Sequence, residues 1–326
     1  MADNPRSCSF RTSIGGQALI EGILMRGPKK QAIVCRTKDG LVEKVEELKL
    51  VKDKYPILGW PLIRGCATFI SSLVNGMKAL SYSAEQVPLE EQGEPDKIDL
   101  WIEKHFPEDK AQKLIIGVAV VLAIALSVGL FILLPNALVS LLGLLTPLSY
   151  RMGELVSGLL RVGILLGYMA LVSRVKDIRR VFAYHGAEHK TIFCYEHGRA
   201  LTVENVRPES RFHPRCGTSF LLVVVIVSLL VNLVFSFFVP FDELSKKLQF
   251  LARTGCHLLL LPLVVAISYE INRWCGGHDN ALSAILSAPG RWLQRITTNE
   301  PDDSMIDVAI RALSLVIPEE KGSDAW

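Results

Sequence analysis

Residues 220–239, FLLVVVIVSLLVNLVFSFFV, form a continuous apolar run in which Asn232 is the one strongly polar side chain. A helix needs about 20 apolar residues to cross the hydrocarbon core of a bilayer. The run therefore predicts a membrane span, and the composition of the rest of the chain agrees. Of its 326 residues 50% are hydrophobic, and the mean hydropathy of +0.31 is high for a soluble protein.

Three further segments are long and apolar enough to be spans: residues 114–134, 155–173 and 248–271. Pro135-Asn136 is expected to interrupt the first of them, and the apolar block that follows, residues 137–148, is short for a span. The sequence thus predicts about four transmembrane helices. The alternative is five, with residues 137–148 also crossing the membrane.

Basic residues predict the orientation of these spans. By the positive-inside tendency, the loop richest in arginine and lysine faces the cytoplasm. That loop joins the second and third spans, and an even number of spans then places both termini in the cytoplasm as well. Its basic residues are Arg174, Lys176, Arg179, Arg180, Lys190, Arg199, Arg207, Arg211 and Arg215.

The regions outside the spans carry signals of soluble structure. Residues 31–36 and 41–48 alternate between apolar and polar residues around Asp39-Gly40, which predicts a β-hairpin. Residues 66–84 predict an amphipathic helix that lies against the membrane or the soluble core. Residues 85–113 predict a linker with a short interfacial helix. The predicted organisation is an N-terminal cytoplasmic region (1–113), a first transmembrane hairpin (114–173), a cytoplasmic His/Cys loop (174–219), a second transmembrane hairpin (220–271) and a C-terminal cytoplasmic tail (272–326) that contains a helix with an apolar stripe from Ile306 to Val316.

The cytoplasmic loop contains His185-Gly186-Ala187-Glu188-His189, which has the pattern H-x-x-E-H. In a helix, residues four apart lie on the same face, so both imidazoles could reach one cation. Glu188 would stand beside them, where a general base for a water molecule is placed in metal-dependent hydrolases. The alternative is a solvated polar helix in which the two histidines are incidental.

Residues 178–197 are predicted to form one helix that continues out of the second span, with Gly198 as its C-terminal cap. Glu196 falls on or near the stripe of the two histidines and is a candidate third ligand. Gly186 inside this helix costs about 1 kcal/mol relative to alanine, which a purely structural helix has no reason to accept. Cys194 lies off the stripe and is expected to pack in the core.

The segment just before the third span reads HPRC over residues 213–216. A histidine and a cysteine three residues apart across a proline turn can chelate zinc. His213 or Cys216 could therefore complete the first site in place of Glu196, or the pair could belong to a separate site.

Two other pairs of polar residues have open interpretations. Cys275 and His278 follow the fourth span on the same side of the membrane, where they could join His213 and Cys216 in a closed four-ligand zinc site; a buried thiol and a capping histidine are the favoured alternative. Glu21 and Arg26 lie among the N-terminal glycines and either pair with each other or line the site.

Other classes of function find little support. The chain has no G-x-S-x-G nucleophile elbow, no Walker A loop and no G-x-G-x-x-G loop, so we expect no nucleotide. A formal charge of +3 does not indicate a specific nucleic-acid partner. Transport is disfavoured because Arg161 and Asn232 are the notable polar groups of the spans, and Arg253 is expected to extend its head group to water.

Several segments together resemble the YqhQ-like family of bacterial membrane proteins, domain of unknown function 1385: GGQALIEG (15–22), MRGP (25–28), YHGAEHK (184–190), HPRCGTSF (213–220) and APGRWLQ (288–294). The resemblance extends from about Gly15 to Leu313. It implies a multi-pass protein of the bacterial cytoplasmic membrane and a metal-dependent enzyme. The family pattern does not include Cys275, which weakens the four-ligand zinc site. The positions carried over are His185, Glu188, His189, His213 and Cys216.

The predicted fold is a mainly α-helical integral membrane protein with a small α+β cytoplasmic domain, built from the N-terminal region, the loop between spans two and three, and the C-terminal tail. One hypothesis is a hydrolase that uses a divalent metal, zinc being the expected ion, with Glu188 as catalytic base. The alternative is a non-enzymatic scaffold or membrane-protein assembly factor that docks a protein partner complex, with any metal structural. The lipid bilayer is a partner in both. The candidate metal ligands are His185, His189, Glu196, His213 and Cys216.

Overall fold

The computed structural model describes residues 10–48, 55–86, 108–239, 241–278, 280–320 and 322–326. These residues form two compact units: the first takes its residues from 1–88, 166–227 and 262–326, and the second from 89–165 and 228–261. The strands are β1 (Gly15–Leu19), β2 (Gly22–Arg26), β3 (Lys30–Thr37) and β4 (Gly40–Glu47). The helices are α1 (Ile63–Glu85), α2 (Glu108–Val128), α3 (Leu134–Leu145), α4 (Tyr150–Val172), α5 (Lys176–Glu196), α6 (Val203–Val206), α7 (Gly217–Phe235), α8 (Lys246–Gly277), α9 (Ala281–Thr297) and α10 (Asp303–Ser314).

The strands form an antiparallel meander in the order β1-β2-β3-β4. β3 and β4 confirm the predicted hairpin, and Gly40 follows its two turn residues with a φ of 128°, which only glycine adopts without strain. The glycine-rich stretch before it forms the hairpin β1–β2, in which a Cβ on Gly16 would lie only 2.7 Å from the carbonyl oxygen of Leu24.

The sheet is covered on both faces. Successive side chains of its strands point to opposite faces, and each face carries apolar side chains. Ile23, Met25 and Val34 face a core that they share with α5 and α10. Leu24 and Ile33 face the opposite side, where they pack near α1. The sheet is therefore the middle of a three-layer arrangement, with α5 and α10 on one side and α1 on the other.

α1 is the predicted amphipathic helix, and it begins three residues earlier than expected. It approaches the sheet where Gly76 meets the side chain of Gln17. Its first turn is tied to α8, since Arg64 Nε donates to Glu270 Oε1 at 2.7 Å. The predicted linker over residues 85–113 falls largely on residues 87–107, which lie outside the described part of the chain.

Among the described residues, four helices are long and apolar enough to cross a membrane: Gly117–Leu145, Tyr150–Val172, Gly217–Phe235 and Lys246–Gly277. The count of four is as predicted, whereas the expected interruption at Pro135 is wrong. A π-helical turn at Gly129–Leu133 joins α2 to α3, and it widens the helix just ahead of the proline that cannot donate a backbone hydrogen bond. Residues 137–145 therefore continue the first span, and placement of all four helices in a bilayer stays a prediction.

A cluster of polar side chains lies between candidate spans inside the second unit. Arg253 Nε donates to Glu154 Oε1 at 2.7 Å, and His257 Nε2 lies 3.3 Å from Glu154 Oε2 without hydrogen-bond geometry. Arg161 donates to His257 Nδ1 at 3.0 Å and to Asn136 Oδ1 at 3.1 Å. Because arginine can only donate, His257 accepts at Nδ1 and carries its proton on Nε2, which faces Glu154.

This cluster corrects one expectation, since Arg253 is buried against Glu154 rather than extended toward water. His257, also buried, lies in the middle of α8. Ionisable groups are thus present between the spans, and their scarcity is no longer an argument against transport. The cluster holds two arginines against one glutamate, and the contacts among them join three candidate spans.

The helical segment after the second span also differs from its prediction. α4 ends at Val172, and a turn with Val175 in an extended conformation precedes α5, so the two helices are not continuous. The C-terminal helix is confirmed as α10. Asp302 caps its N-terminus by accepting from the backbone N–H of Met305 at 3.0 Å, and the predicted stripe, including Leu313, faces the core.

The first prediction concerns the carboxylate of the buried cluster. Glu154→Gln removes the only negative charge near Arg253 and Arg161 in the described cluster, so both guanidinium groups lose their counter-charge. Breaking a buried pair by removing one partner costs about 3–5 kcal/mol. We expect a loss of that order in the free energy of unfolding, measured by SDS titration of the detergent-solubilised protein.

The matched control is Glu243→Gln, which changes an exposed carboxylate in the same unit and should leave stability within about 0.5 kcal/mol of wild type. Equal stabilities of the two variants would show that the cluster does not hold the helices together.

Candidate metal centre

α5 is the central helix of the first unit. Residues 183–194 are all buried, so the alternative of a solvated polar helix is wrong. Its end is the predicted one: Gly198 has φ 66°, and the N–H groups of Gly198 and Arg199 donate to the carbonyl oxygens of Tyr195 and Cys194. This is a Schellman cap, which glycine favours because the position is left-handed. Cys194 packs in the core as expected.

Three donor side chains converge on one point beside this helix. His185 and His189 project from successive turns of α5, and Cys216 comes from the segment before α7. One donor atom from each of the three lies within 4.8 Å of the other two. Among the residues that the structure describes, this is the group of His, Cys and acidic side chains that could hold a metal ion.

Backbone carbonyl groups fix the orientation of both imidazoles. The Nδ1 atom of His185 lies 2.8 Å from the carbonyl oxygen of Thr297, and that of His189 lies 2.6 Å from the carbonyl oxygen of Arg211. A carbonyl oxygen can only accept, so Nδ1 carries a proton in each ring and Nε2 is the ring nitrogen left to face the other donors. This is the arrangement by which proteins orient histidines that ligate metals.

The thiol of Cys216 is set up to ionise. It lies 3.1 Å from His185 Nε2 and also 3.1 Å from the hydroxyl oxygen of Thr218. Burial opposes its ionisation, but the charges of His185 and His189 outweigh burial and hold the pKa of the thiol well below its usual range. Burial likewise opposes protonation of His185, yet the Cys216 thiolate and Glu188 raise the pKa of His185 to about 9. A thiolate is the form of cysteine that binds metal.

Glu188 is held beside the three donors by the first strand. The backbone N–H of Gly16 donates to Glu188 Oε1 at 2.9 Å. Burial raises the pKa of this carboxyl, although the charges of His189 and His185 partly oppose the rise. A Cβ on Gly16 would lie 3.0 Å from Glu188 Cδ, so the strand can approach this closely only with glycine.

Glu196 and His213, the two other predicted ligand candidates, form a neighbouring cluster. Glu196 accepts from Arg215 and, at 2.9 Å, from the backbone N–H of Thr12. His213 has Nε2 3.6 Å from Glu196 Oε2 and Nδ1 3.4 Å from the backbone nitrogen of Arg215. Burial lowers the pKa of His213 to about 4 despite Glu196. Both ring nitrogens thus face partners outside the group of three donors, and His213 contacts that group through its ring, 5.5 Å from that of His189.

The remaining candidate pairs lie elsewhere. His278 Nδ1 is 2.8 Å from the carbonyl oxygen of Trp274, and Cys275 is buried, which fits the capping and packing interpretation and not the four-ligand zinc site. Glu21 pairs with Arg180 at 2.5 Å instead of with Arg26. This ion pair ties the β1–β2 turn to α5.

Sequence reasoning missed the residues that position the donors. Gln294 accepts from the backbone N–H of His213 at 2.8 Å and donates to the carbonyl oxygen of His213 at 2.7 Å and to Ser219 Oγ at 3.0 Å. Gly290 lets α9 approach Ser219 so closely that any Cβ there would overlap it. Both lie in the APGRWLQ segment, which was recognised only as a family motif. The signal available in the sequence was a glutamine four residues, about one helical turn, after a glycine.

Gly186 has a structural reason that the sequence did not reveal. A Cβ at this position would overlap the carbonyl oxygen of Asn299, and the backbone N–H of Asn299 donates to the carbonyl oxygen of Phe182 at 2.8 Å. The turn after α9 therefore lies directly on α5. The same turn supplies the Thr297 carbonyl that orients His185, so the inference that a structural helix has no use for this glycine is wrong.

Comparison with known proteins shows the family of the chain. The family model "Protein of unknown function (DUF1385)" matches residues 60–319. The chain is 34% identical to "Uncharacterized protein YqhQ" of Bacillus subtilis (strain 168), over 95% of this chain and 94% of that protein. No solved structure matches the chain. The chain therefore belongs to the DUF1385 family.

The second prediction concerns the glycine under the turn. In an exposed helix, replacing glycine with alanine is worth about 1 kcal/mol of stability. At Gly186 the added methyl group must displace the Asn299 carbonyl and with it the turn that orients His185. We expect Gly186→Ala to lower the free energy of unfolding by about 1–3 kcal/mol, as overpacking does.

Gly167→Ala is the control, because a Cβ at Gly167 in α4 meets open space. This variant should be neutral or slightly more stable than wild type. If Gly186→Ala also melts at or above the wild-type temperature, the contact between the turn and α5 is not as close as described.

Proposed function

We propose that this member of the DUF1385 family is a multi-pass protein of the bacterial cytoplasmic membrane with a cytoplasm-facing, metal-dependent hydrolase centre. The observation that carries the proposal is the convergence of three donors, His185, His189 and Cys216, within 4.8 Å. Beside them Glu188 is buried and held by the N–H of Gly16. Three protein ligands with a carboxylate nearby is the pattern of catalytic zinc sites, whereas structural sites have four protein ligands.

The membrane placement is supported by four helices of suitable length and hydropathy. The orientation is supported by the arginine-rich segment between α4 and α7, since basic loops are retained in the cytoplasm. With four spans, both termini share that side. The sheet, α5 and α10 then form the cytoplasmic domain.

The donor set fits a divalent ion of borderline softness. Two imidazole nitrogens and one thiolate suit zinc, which binds such sets with a water or substrate in the remaining position. His185 and His189 would bind through Nε2, because their Nδ1 atoms are engaged by the carbonyl oxygens of Thr297 and Arg211. When bound, the ion would supply Lewis acidity toward water and toward a carbonyl or phosphoryl oxygen.

Glu188 is the residue that would move a proton. Gly16 N–H engages its Oε1, so proton uptake falls to Oε2. Burial raises the pKa of Glu188, which makes its carboxylate a stronger base for accepting a proton at neutral pH. The hydrogen bond to β1 holds the carboxyl in place while it changes its protonation state.

A second candidate is the scaffold or assembly factor with a structural metal. The observation in its favour is burial: His185, His189, Cys216 and Glu188 are all at most 8% exposed. The centre also joins α5, the segment before α7 and the turn after α9, so an ion there would fasten them together. In this role the cytoplasmic domain would dock a protein partner complex.

The third prediction is the metal content of the purified, detergent-solubilised protein, measured by mass spectrometry. Wild type should hold about one equivalent of zinc or another divalent transition metal. His185→Ala/His189→Ala should hold none, because two of the three donors are gone, and Cys216→Ala should hold less than wild type. His278→Ala changes an exposed histidine outside the centre and should keep the full equivalent.

Folded wild-type protein that contains no metal, and takes up none when zinc is added back, would contradict both the hydrolase and the structural-metal candidates. If the double histidine variant retains the metal, the metal binds at another site in the protein.

The fourth prediction separates the enzyme from the scaffold. Glu188→Gln keeps the size of the side chain and its contact with Gly16 but removes the proton acceptor. We expect it to retain metal and to lose at least about 100-fold of hydrolytic rate on a panel of ester, phosphoester and peptide substrates, in line with the loss of a general base. The control, Glu204→Gln, changes an exposed carboxylate on the same unit and should hydrolyse as wild type does.

The opposite pattern would favour the scaffold. It consists of metal-loaded wild type that hydrolyses nothing in the panel, together with a lower melting temperature of His185→Ala and an unchanged one of Glu188→Gln. Equal rates of wild type and Glu188→Gln would remove Glu188 as the base.

A further inference from the structure

A cavity of about 910 Å³ lies in the first unit, apart from the three donor side chains. Its walls are the end of α5, the segment of residues 210–215, the end of α8 and one side of α9. Cavities of this size accommodate small organic molecules. The candidate ligands His185, His189 and Cys216 do not line it, so it is a separate feature of the molecule.

The charge of the cavity is strongly positive. Its lining contains Arg11, Arg215, Arg291 and Arg295, and the one carboxylate among the described lining residues is Glu196. Glu196 is already bound by Arg215 and by the backbone N–H of Thr12. The described lining therefore has an excess of three positive charges, which favours an anionic occupant.

Arg291 has unused hydrogen-bonding capacity at the cavity. Its Nη2 donates to the carbonyl oxygen of Ala284 at 3.1 Å, while its Nε is buried with no partner. A buried donor without an acceptor costs free energy, and more so when it is charged. Guanidinium groups bind phosphate and carboxylate with two parallel hydrogen bonds, so an anion in the cavity could satisfy this donor.

The rest of the lining combines apolar side chains with the polar side chains of Ser210, His278, Asn280, Ser283 and Ser287. Among the apolar side chains, Phe193 lies on α5 and Phe212 on the segment before α7. Ile285, Pro289 and Trp292 lie on α9. Small inorganic anions need no such walls. An amphiphile uses both features, its charged group lying on the arginines and its hydrocarbon on the aromatic and aliphatic side chains.

The cavity lies where a candidate span ends. Cys275 and Gly276, the two residues before the last residue of α8, belong to its wall. α9, which follows, is amphipathic and exposes Leu282, Ile285 and Trp292. Exposed apolar side chains and a tryptophan on such a helix are typical of the membrane–water interface. In a chain that spans the bilayer, lipid headgroups are then the anions present at the highest local concentration.

We propose that this cavity is a binding site for the phosphate headgroup of an anionic phospholipid, with the arginines of α9 on the phosphate and the first part of the acyl chains on the Phe193–Trp292 walls. The site is independent of metal and of hydrolysis. It selects lipids by net negative charge, because a zwitterionic headgroup brings its own cation to the arginines.

The test is calorimetric titration of the full-length protein in a neutral maltoside detergent. Three probes are compared: dihexanoyl-phosphatidylglycerol, dihexanoyl-phosphatidylcholine and inorganic phosphate. We expect saturable binding of about one phosphatidylglycerol per chain, with phosphatidylcholine and inorganic phosphate each at least ~10-fold weaker. The first comparison tests charge selection, and the second distinguishes a lipid headgroup from free phosphate.

Arg291→Gln/Arg295→Gln should weaken phosphatidylglycerol binding by ~10-fold or more. The matched control is Arg207→Gln/Arg311→Gln, which removes two exposed arginines of the same unit that do not line the cavity, and it should bind as wild type does. Ala288→Phe, at an exposed lining position of α9, should also weaken binding by filling the cavity with both arginines intact. Melting temperatures check that each variant is folded. If the double arginine variant is unfolded, the binding measured with Ala288→Phe tests the proposal in its place.

Equal affinities for phosphatidylglycerol and phosphatidylcholine, or folded cavity variants that bind as wild type does, would overturn the proposal. Inorganic phosphate binding as tightly as phosphatidylglycerol would overturn the lipid assignment in favour of a free-anion site. Loss of metal in the His185→Ala/His189→Ala variant with unchanged lipid binding is the expected result for two independent sites.

Discussion

Burial of the polar middle of α5 is the constraint on which the first unit depends. Twelve consecutive residues of this helix are buried, and they include His185, Glu188, His189 and Lys190. Buried polar groups are stable only when each has a partner. The partners come from other segments: the Gly16 N–H for Glu188, the carbonyl oxygens of residues 297, 211 and 207 for the two histidines and the lysine, and Glu300 for the lysine as well. These segments must therefore converge on α5, and the position of the sheet, of α9 and of the segment before α7 follows from that requirement.

For several segments to pack this closely against α5 and against one another, the residues at their closest contacts must lack side chains. Gly16 in β1, Gly186 in α5 and Gly290 in α9 each lie where a Cβ would meet a neighbouring segment. Each glycine serves one approach: the strand to Glu188, the turn after α9 to the helix, and α9 to the start of α7. Glycine inside a helix or strand lowers the intrinsic stability of that element. The fold accepts this cost at positions where the polar groups of α5 meet their partners.

Local patterns in the sequence predicted local structure well. The hairpin at Asp39-Gly40, the cap at Gly198 and the stripe of α10 depend on residues within a few positions of one another, and all three are present. The H-x-x-E-H spacing likewise placed His185 and His189 on one face of a helix. Cys216 was one of three residues proposed to complete the set, and the choice among them required the three-dimensional path of residues 210–216, which no local signal encodes.

The errors have a common physical origin. A proline inside a helical segment predicts a break at Pro135, because composition does not show the π-helical turn that changes the preceding hydrogen bonds. The expectation for Arg253 rests on its own helix alone, so it misses the pairing with Glu154 on another helix. In a low-dielectric environment such pairing decides whether a charged side chain stays between helices or reaches for water. Only the tertiary structure supplies that information.

Glu196 and Arg215 connect the two sites of the first unit. Both line the cavity, and both contact His213, whose ring lies 5.5 Å from that of His189. Glu196 accepts from Arg215 and from the Thr12 N–H, and the ring of His213 is packed against Phe193 at 4.5 Å. Close packing holds these side chains in one arrangement, so they separate the α9 arginines of the cavity from the three donors of the metal centre. The two sites therefore have separate donor sets, and Glu196, Arg215 and His213 form the layer of side chains between them.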